Sequence, residues 1–365
     1  MNLKEAKKRN IFNPKDFSYL LKIFGSSKKS WFQSVFLYIT EKCQLRCKHC
    51  YLGWRLERKA TMPLELIIAH LKMWKKIGTK RVCFIGGEPT LHPEFGKAVR
   101  YAHKLKYKEI IMDTNGIPPS LEVLNKFNPL DFTYIQVSLD GASPETHDQI
   151  RGKGTFEMSF NTIKELSERG FDVRIICTVN KLNIKDCLDI LRIADEIGVS
   201  LVKYHICSKE GRCKGNSKMI FNPHEWIKFA ENFSKFAKRY KTKILFQPSY
   251  ATRKTGFQYF KEGYTGCIGR TLNKISIFPN GKMYLCSYLF DTDLNFAELI
   301  NGQIKLNKRF NEINLFLNQE PKCNNCQFNR ICRGGCPAEK ILMGSLPCEK
   351  YSDIFSICRL WKSSV

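Results

Sequence analysis

No stretch of this chain is apolar for long enough to cross a bilayer, which takes about 20 residues. Nor does an apolar run follow the opening Met-Asn-Leu-Lys-Glu-Ala-Lys-Lys-Arg, which is too charged to begin a secretory signal. Membrane-spanning and exported classes are therefore set aside, and a cytoplasmic location is expected. Export is also what would make disulfides expected, so its absence leaves sixteen cysteines needing another explanation. Thiolates held by metal in a reducing compartment supply one. Internal repeats and low-complexity tracts are missing too. Acidic residues are scarce, 34 against 60 Lys and Arg, for a net charge of +26. That balance implies an anionic partner such as nucleic acid, an acidic peptide, a phosphorylated substrate or a lipid surface. A solvated basic surface is the plain alternative. Stacking and groove-reading motifs are absent, which counts against a metal-binding module on nucleic acid.

What is present reads as a globular protein. A chain of 365 residues, 43% hydrophobic, can bury one large core, or one large and one small. β-rich runs fall at Val35–Ile39, Val82–Ile85, Glu109–Thr114, Phe132–Ser138, Val173–Val179 and Leu201–Ile206. Segments of helical period separate them, near Leu64–Ile77, Phe95–Leu105, Leu121–Phe127, Phe156–Arg169 and Cys187–Ile197, and Pro223 opens another to about Tyr240. Such alternation predicts an α/β fold with a parallel sheet and helices outside. After about residue 265 the helical period fades and cysteines cluster. The expected organisation is a basic N-terminal extension over 1–33, a strand–helix domain over 34–250 and a cysteine-rich domain over 251–365. Residues 1–30 hold eight Lys/Arg, two Asp/Glu and the apolar Phe12, Phe17, Leu20, Leu21, Ile23 and Phe24. A helix packed on the enzyme's own body is preferred there to an amphipathic membrane-docking helix.

The first chemical constellation is Cys43-Gln-Leu-Arg-Cys47-Lys-His-Cys50-Tyr51. It follows the first strand, so it sits on a loop at the C-terminal end, where parallel α/β folds bind ligands. Three thiolates suit a four-iron cluster better than a structural zinc, which wants four ligands, and they leave one iron open for an exogenous group. After the second strand comes Gly86-Gly87-Glu88-Pro89, where two glycines permit close backbone approach and Glu88 can accept from an ammonium. Read alone, this is also a plausible turn.

Together the two motifs resemble the radical S-adenosylmethionine (SAM) superfamily. The resemblance implies a partial (β/α)6 TIM-like barrel and SAM as cofactor, with Cys43, Cys47 and Cys50 on the catalytic cluster. It implies SAM contacts from Tyr51, Gly86, Gly87, Glu88 and Pro89. Further features fit it: Thr114-Asn115-Gly116, Ser138-Leu-Asp140-Gly141 and His147-Asp148-x2-Arg151-Gly152. In relatives the serine and arginine hold the cofactor carboxylate, a task to which the fork of Arg151 is suited. Asn115 joins Ser138 and Arg151 as an expected contact. Turn chemistry alone is the competing reading of Asn115-Gly116 and Asp140-Gly141.

Near the C-terminus, Cys267 is followed by thirteen residues, Gly281, four residues and Cys286, then Cys323-x2-Cys326-x5-Cys332-x3-Cys336 and Cys348. This spacing resembles the SPASM extension, which carries two auxiliary 4Fe–4S clusters in relatives. Carried over by position, Cys267, Cys286 and Cys336 bind the first, and Cys323, Cys326, Cys332 and Cys348 the second, making three clusters in all. Seven thiolates fall one short of full ligation. Cys358 competes with Cys348, and a zinc ribbon is the alternative for the Cys323–Cys336 block. Cys83 and Cys177 read as buried strand cysteines. Cys207 and Cys213, just past the sixth strand, are expected on the catalytic rim, where a thiol could give a hydrogen atom to a substrate radical; passive loop thiols are the alternative.

The resemblance implies reductive cleavage of SAM to a 5′-deoxyadenosyl radical, which removes a hydrogen atom from substrate, with electrons from a flavodoxin- or ferredoxin-type donor. A peptide or protein side chain is the first expectation for the substrate, because SPASM-bearing relatives most often modify peptides. Against it, roughly 34 residues before the first strand are too few for a separate leader-binding domain. A sugar or aminocyclitol, oxidised or epimerised, is the second. Sulfatase maturation is disfavoured, since those relatives place an aspartate where this chain has Ser287.

Overall fold

The computed structural model describes residues 12, 14–24, 31–246, 249–252, 254–256, 261, 267, 269, 272–308, 321–332, 334–344 and 354–356. Six apolar runs become parallel strands where the pattern put them: β1 (Ser34–Thr40), β2 (Arg81–Gly86), β3 (Glu109–Thr114), β4 (Tyr134–Ser138), β5 (Val173–Val179) and β6 (Leu201–Ile206). β-branched and aromatic side chains dominate them, and helices cover their outer face, as a partial TIM-like barrel requires. A seventh parallel strand, β7 (Lys243–Phe246), pairs with β6. Its four residues are too few to show a period.

The sheet does not end at β1. After the short β8 (Tyr250–Thr252), β9 (Lys274–Ile277) pairs parallel with β1. β10 (Lys282–Tyr284), β11 (Ala297–Ile300) and β12 (Gln303–Leu306) continue it as an antiparallel meander. One eleven-stranded sheet thus runs through both the barrel and the cysteine-rich region. β8 pairs separately with β13 (Ile354–Ser356).

The basic N-terminal segment docks on the body. In the helix Pro14–Phe24, Leu20 is buried in the main core; Asp16 accepts from the Leu306 backbone at 3.3 Å and pairs with Lys308 at 2.5 Å. Among the described residues no helix is long and apolar enough to cross a membrane.

Local chemistry sets the helix ends. Leu64–Ile77 stops at Gly78, whose φ of 101° is open to glycine and whose N–H returns to the Lys75 and Trp74 carbonyls. Pro223–Ala237 opens on a capping box in which Asn222 accepts from Glu225 N at 2.9 Å and Glu225 accepts from Asn222 N at 2.8 Å.

His70, on the inner face of Leu64–Ile77, is completely buried, and neither ring nitrogen has a hydrogen-bond partner. Burial lowers its pKa to about 4. A group depressed in this way stabilises the fold above its unfolded value of about 6.5, and that stability is lost as pH falls toward 4. About 2 kcal/mol should disappear between pH 7 and pH 5. Denaturant titration should show a smaller loss in His70→Phe than in the wild type over this interval; equal losses would remove His70 from the acid response.

Candidate active site

A cavity of about 760 Å³ fills the barrel lumen and opens at the C-terminal strand ends. Cys43, Cys47, Cys50 and Tyr51 line its mouth, together with Gly87, Asn115, Ser138 and Arg151. The structure therefore brings the cysteine loop and most of the expected cofactor contacts to one place. Gly86, Glu88 and Pro89 are not in the wall.

The cysteine loop is clasped from several sides by backbone. Gly87 N donates to Thr40 O and Glu88 N to Lys42 O, both at 2.8 Å. A Cβ on Gly86 would stand 2.3 Å from Thr40 O, and one on Gly87 2.3 Å from Lys42 O. The glycine pair is thus explained by close approach to the cysteine loop itself. Lys48 N donates to Ile150 O at 2.9 Å, beside the helix Pro144–Arg151, and Arg212 N donates to Cys50 O at 3.0 Å. Next to Arg212, a Cβ on Gly211 would meet Cys50 O at 2.2 Å. Arg46 ties the loop to itself, donating to the Cys43 and Leu45 carbonyls and pairing with Glu57 at 2.8 Å.

Burial pushes the Cys43 thiol up to about 12 and the Cys47 thiol to about 11, the latter opposed by the Arg151 guanidinium. Thiols in this setting ionise when a bound metal supplies the compensating charge. Among the described residues no three His, Cys, Asp or Glu side chains are grouped to hold a single ion. A four-iron cube needs no such convergence, because each thiolate takes a different iron. The donor set and its surroundings fit a cluster.

Glu88 departs from the sequence-based expectation. It is fully buried, and its carboxylate accepts from Thr90 N (3.2 Å), Thr90 Oγ1 (2.8 Å), Thr114 Oγ1 (2.9 Å) and Asn115 N (2.8 Å). It ties the β2 turn to the end of β3 through these four hydrogen bonds. Asn115 Oδ1 accepts from Ile117 N, while its amide donates to Gln44 Oε1 at 3.2 Å and to Cys43 Sγ at 3.8 Å. Tyr51 shares a 2.7 Å hydrogen bond with Tyr38 and meets Tyr288 edge-on.

Arg151 is 8% exposed and donates from Nε to Asp140 Oδ2 at 2.5 Å; its Nη1 lies 3.9 Å from Cys47 Sγ. One edge of its fork is therefore committed inside the protein. Asp140, read from sequence as a turn residue, is the hub: it also pairs with His49 and accepts from Thr178 N at 2.7 Å. Burial pushes its carboxyl up, but Arg151 and His49 outweigh that and hold it below the ordinary range.

Cys207 and Cys213 require a correction. They do not stand on the rim: they are 1% and 0% exposed, packed with Met219 outside the cavity wall, their sulfurs 3.0 Å apart. Ile206 and Ser208 are the cavity-facing residues on either side of Cys207.

Of the C-terminal cysteines, Cys267 and Cys286 belong to the main core, with Cys336 packed against it. Cys332 packs instead with Phe328, Ile331 and Ala251; Cys323 is buried and Cys326 exposed. Cys336 caps the helix Pro337–Met343, its sulfur accepting from Glu339 N at 3.4 Å. Cys348 and Cys358 lie outside the described residues.

A parallel partial barrel with a three-cysteine loop at its mouth defines a radical SAM enzyme. Residues 37–194 match the model of the Radical SAM superfamily, and the cysteines further along the chain have the spacing of its SPASM subgroup. It is similar to the AdoMet-dependent heme synthase of Methanosarcina barkeri, 26% identical over 81% of this chain and 88% of the relative. It is likewise similar to the mycofactocin maturase MftC of Mycolicibacterium smegmatis, 28% identical over 84% of this chain and 78% of the relative. In fold it resembles SuiB of Streptococcus suis, solved bound to precursor peptide SuiA: 18% identity, TM-score 0.66, covering 91% of this chain and 77% of that one.

The glycine contact yields a direct test. Gly87→Ala should destabilise the protein by about 1–3 kcal/mol through overpacking and raise amide exchange across residues 42–50. Gly96→Ala, whose added methyl first meets the flexible end of the Arg100 side chain, should leave that exchange unchanged. Unaltered exchange in Gly87→Ala would remove the glycine from the loop's support.

Proposed function

We propose that this chain is a peptide- or protein-modifying radical SAM enzyme with three 4Fe–4S clusters, acting on a side chain by cross-linking, oxidation or epimerisation. The observation that carries the proposal is the convergence of the braced Cys43–Cys47–Cys50 loop and a large lumen. When bound at the catalytic cluster, SAM supplies a 5′-deoxyadenosyl radical able to take a hydrogen atom from an unactivated carbon. The chain's own residues do the rest. Cys43, Cys47 and Cys50 hold the cluster, and Gly87, Asn115, Ser138 and the uncommitted edge of Arg151 face the cofactor. Gly86, Glu88 and Pro89 position these groups from behind, and Tyr51 walls the mouth. The barrel wall excludes water from the radical.

The separate packing of Cys267, Cys286 and Cys336 on one side and Cys332 on the other supports two auxiliary clusters. Cys323, Cys326 and Cys348 complete the second set. A flavodoxin- or ferredoxin-type donor supplies electrons from outside. The peptide assignment draws on MftC, named a maturase, and on SuiB, solved with its precursor peptide. A second reading, a small-molecule dehydrogenase or epimerase acting on a substrate such as a sugar or aminocyclitol, draws on the similarity to a protein named for heme synthesis.

Anaerobic reconstitution should bring the protein to about twelve irons, three cubes of four. Replacing Cys43, Cys47 and Cys50 together by alanine should remove about four and abolish 5′-deoxyadenosine formation. Near four irons with stoichiometric zinc would make the C-terminal cysteines a zinc module, and full cleavage by the triple variant would overturn the cluster assignment. Co-expression with a small neighbouring open reading frame, followed by mass spectrometry and chiral amino-acid analysis of its product, separates the substrate classes: a mass change or an inverted residue in the peptide supports the first and an unmodified peptide the second.

A further inference from the structure

The lumen below the cysteine loop is unusually basic. Six cationic side chains line it, Arg81, Arg151, Arg174, Lys203, Lys243 and Lys274, against two carboxylates, Glu109 and Asp113. The arginines are matched: Arg81 with Glu109 at 2.5 Å, Arg151 with Asp140 at 2.5 Å, Arg174 with Asp172 at 2.9 Å. Lys203, Lys243 and Lys274 complete the cationic lining, and Asp113 is the other lining carboxylate. It already accepts from the Gln136 amide.

Lys203 and His205 stand at successive inward positions of β6. Lys203 has no ion pair within 4 Å among the described residues, and Asp113 acts on it only through space. His205 Nε2 is buried without a hydrogen-bond partner. His205 also reports the local field: after burial, the charges of Lys203 and Lys274 are what push its imidazole far down, with no opposing carboxylate. The potential here is positive, and the imidazole is a neutral hydrogen-bonding group. An unbalanced cation inside a protein is costly unless an anion joins it.

We infer that Lys203 and His205 form a subsite in the barrel lumen for a carboxylate group of the substrate. One ammonium beside one neutral imidazole matches a monoanion; a phosphate, with up to two charges and more acceptors, would call for a second committed cation. The catalytic cluster does not satisfy this need. Lys203 lies three residues before the end of β6, about 10 Å down the strand from the mouth where the cysteines sit. A carboxylate held there would anchor the substrate by its far end and leave its reacting carbon toward the mouth. The subsite rests on the reading of this cavity as the active site, and it narrows the substrate to one bearing a carboxylate, whether an acidic peptide side chain, a peptide terminus or a small acid.

The test uses the full-length reconstituted protein at low chloride with propionate as probe and inorganic phosphate as comparison, read by isothermal titration calorimetry. Propionate should bind saturably at one site. Lys203→Met should weaken it at least tenfold and His205→Leu at least threefold, with Lys203→Arg near the wild type and the exposed Lys97→Met unchanged. Equal propionate affinity in the wild type and Lys203→Met, or no saturable binding, would overturn the subsite; tighter binding of phosphate than propionate would overturn the carboxylate assignment. Should Lys203→Met fail to fold, as judged by circular dichroism, His205→Leu carries the test alone, and unchanged affinity there overturns the subsite. Reductive SAM cleavage by the wild type, followed in parallel, keeps the two readings apart. Cleavage without anion binding defeats the subsite alone; loss of cleavage in fully reconstituted protein defeats the underlying function.

Discussion

Two backbone hydrogen bonds, from Gly87 and Glu88 to the carbonyls of Thr40 and Lys42, fix the loop on which the site depends. They form because Gly86 and Gly87 lack the Cβ atoms that would strike those same carbonyls. The carboxylate of Glu88 then reaches the other way, to Thr114 and Asn115, so the ends of β1, β2 and β3 are locked as one unit. Such cross-linking keeps the three cysteines in fixed mutual positions, as the proposed cluster would require. A loop free to move would spend most of its time in arrangements that cannot chelate.

The far side of the loop is held by sequence-distant partners. Gly211 and Arg212 follow β6, yet they press on Cys50 as closely as Gly87 presses on Lys42. Cys213, one residue further on, turns its thiol toward Lys48 O at 3.5 Å and against Cys207. The two thiols thus belong to the packing that seats the cysteine loop. Asp140 plays a comparable part through His49 and Arg151, coupling the loop, β4 and the helix Pro144–Arg151 in one buried charge network. Single substitutions at such a hub leave a charge unpaired, which is costlier than the lost bond itself.

Much of this architecture was legible beforehand. Strands β1 to β6 are apolar runs five to seven residues long, separated by helices of clear period, and they appear within two residues of their expected bounds. β7 and the meander β9 to β12 are only three or four residues each, too short to show alternation, and their pairing with β6 and β1 spans long stretches of sequence. The three-cysteine loop was legible because its spacing is contiguous in sequence and falls directly after the first strand. The supports were not, since a glycine that makes room for a carbonyl looks like any turn glycine. Cys207 shows the limit well. Its place just beyond β6 was read correctly, but whether its side chain faced the lumen or the outer wall depended on parity at the strand's end, which sequence alone did not settle.

The placement of the acidic residues explains how a chain of net charge +26 keeps an ordered interior. Buried Asp140 and the half-exposed Glu109 and Asp172 each stand against an arginine, whose charge is permanent and must be matched in every state of the protein. The lysines are treated differently. Lys274 is 4% exposed with its ammonium 4.1 Å from the Phe36 ring centroid, and Lys203 is half-buried facing open space. Burial lowers the affinity of Lys203 for its proton. An ammonium on a flexible stem can turn toward an incoming anion, whereas an arginine's planar fork is held by the carboxylate it already meets. A lumen wall of matched arginines and adaptable lysines keeps its shape when empty and still has positive charge to offer when filled.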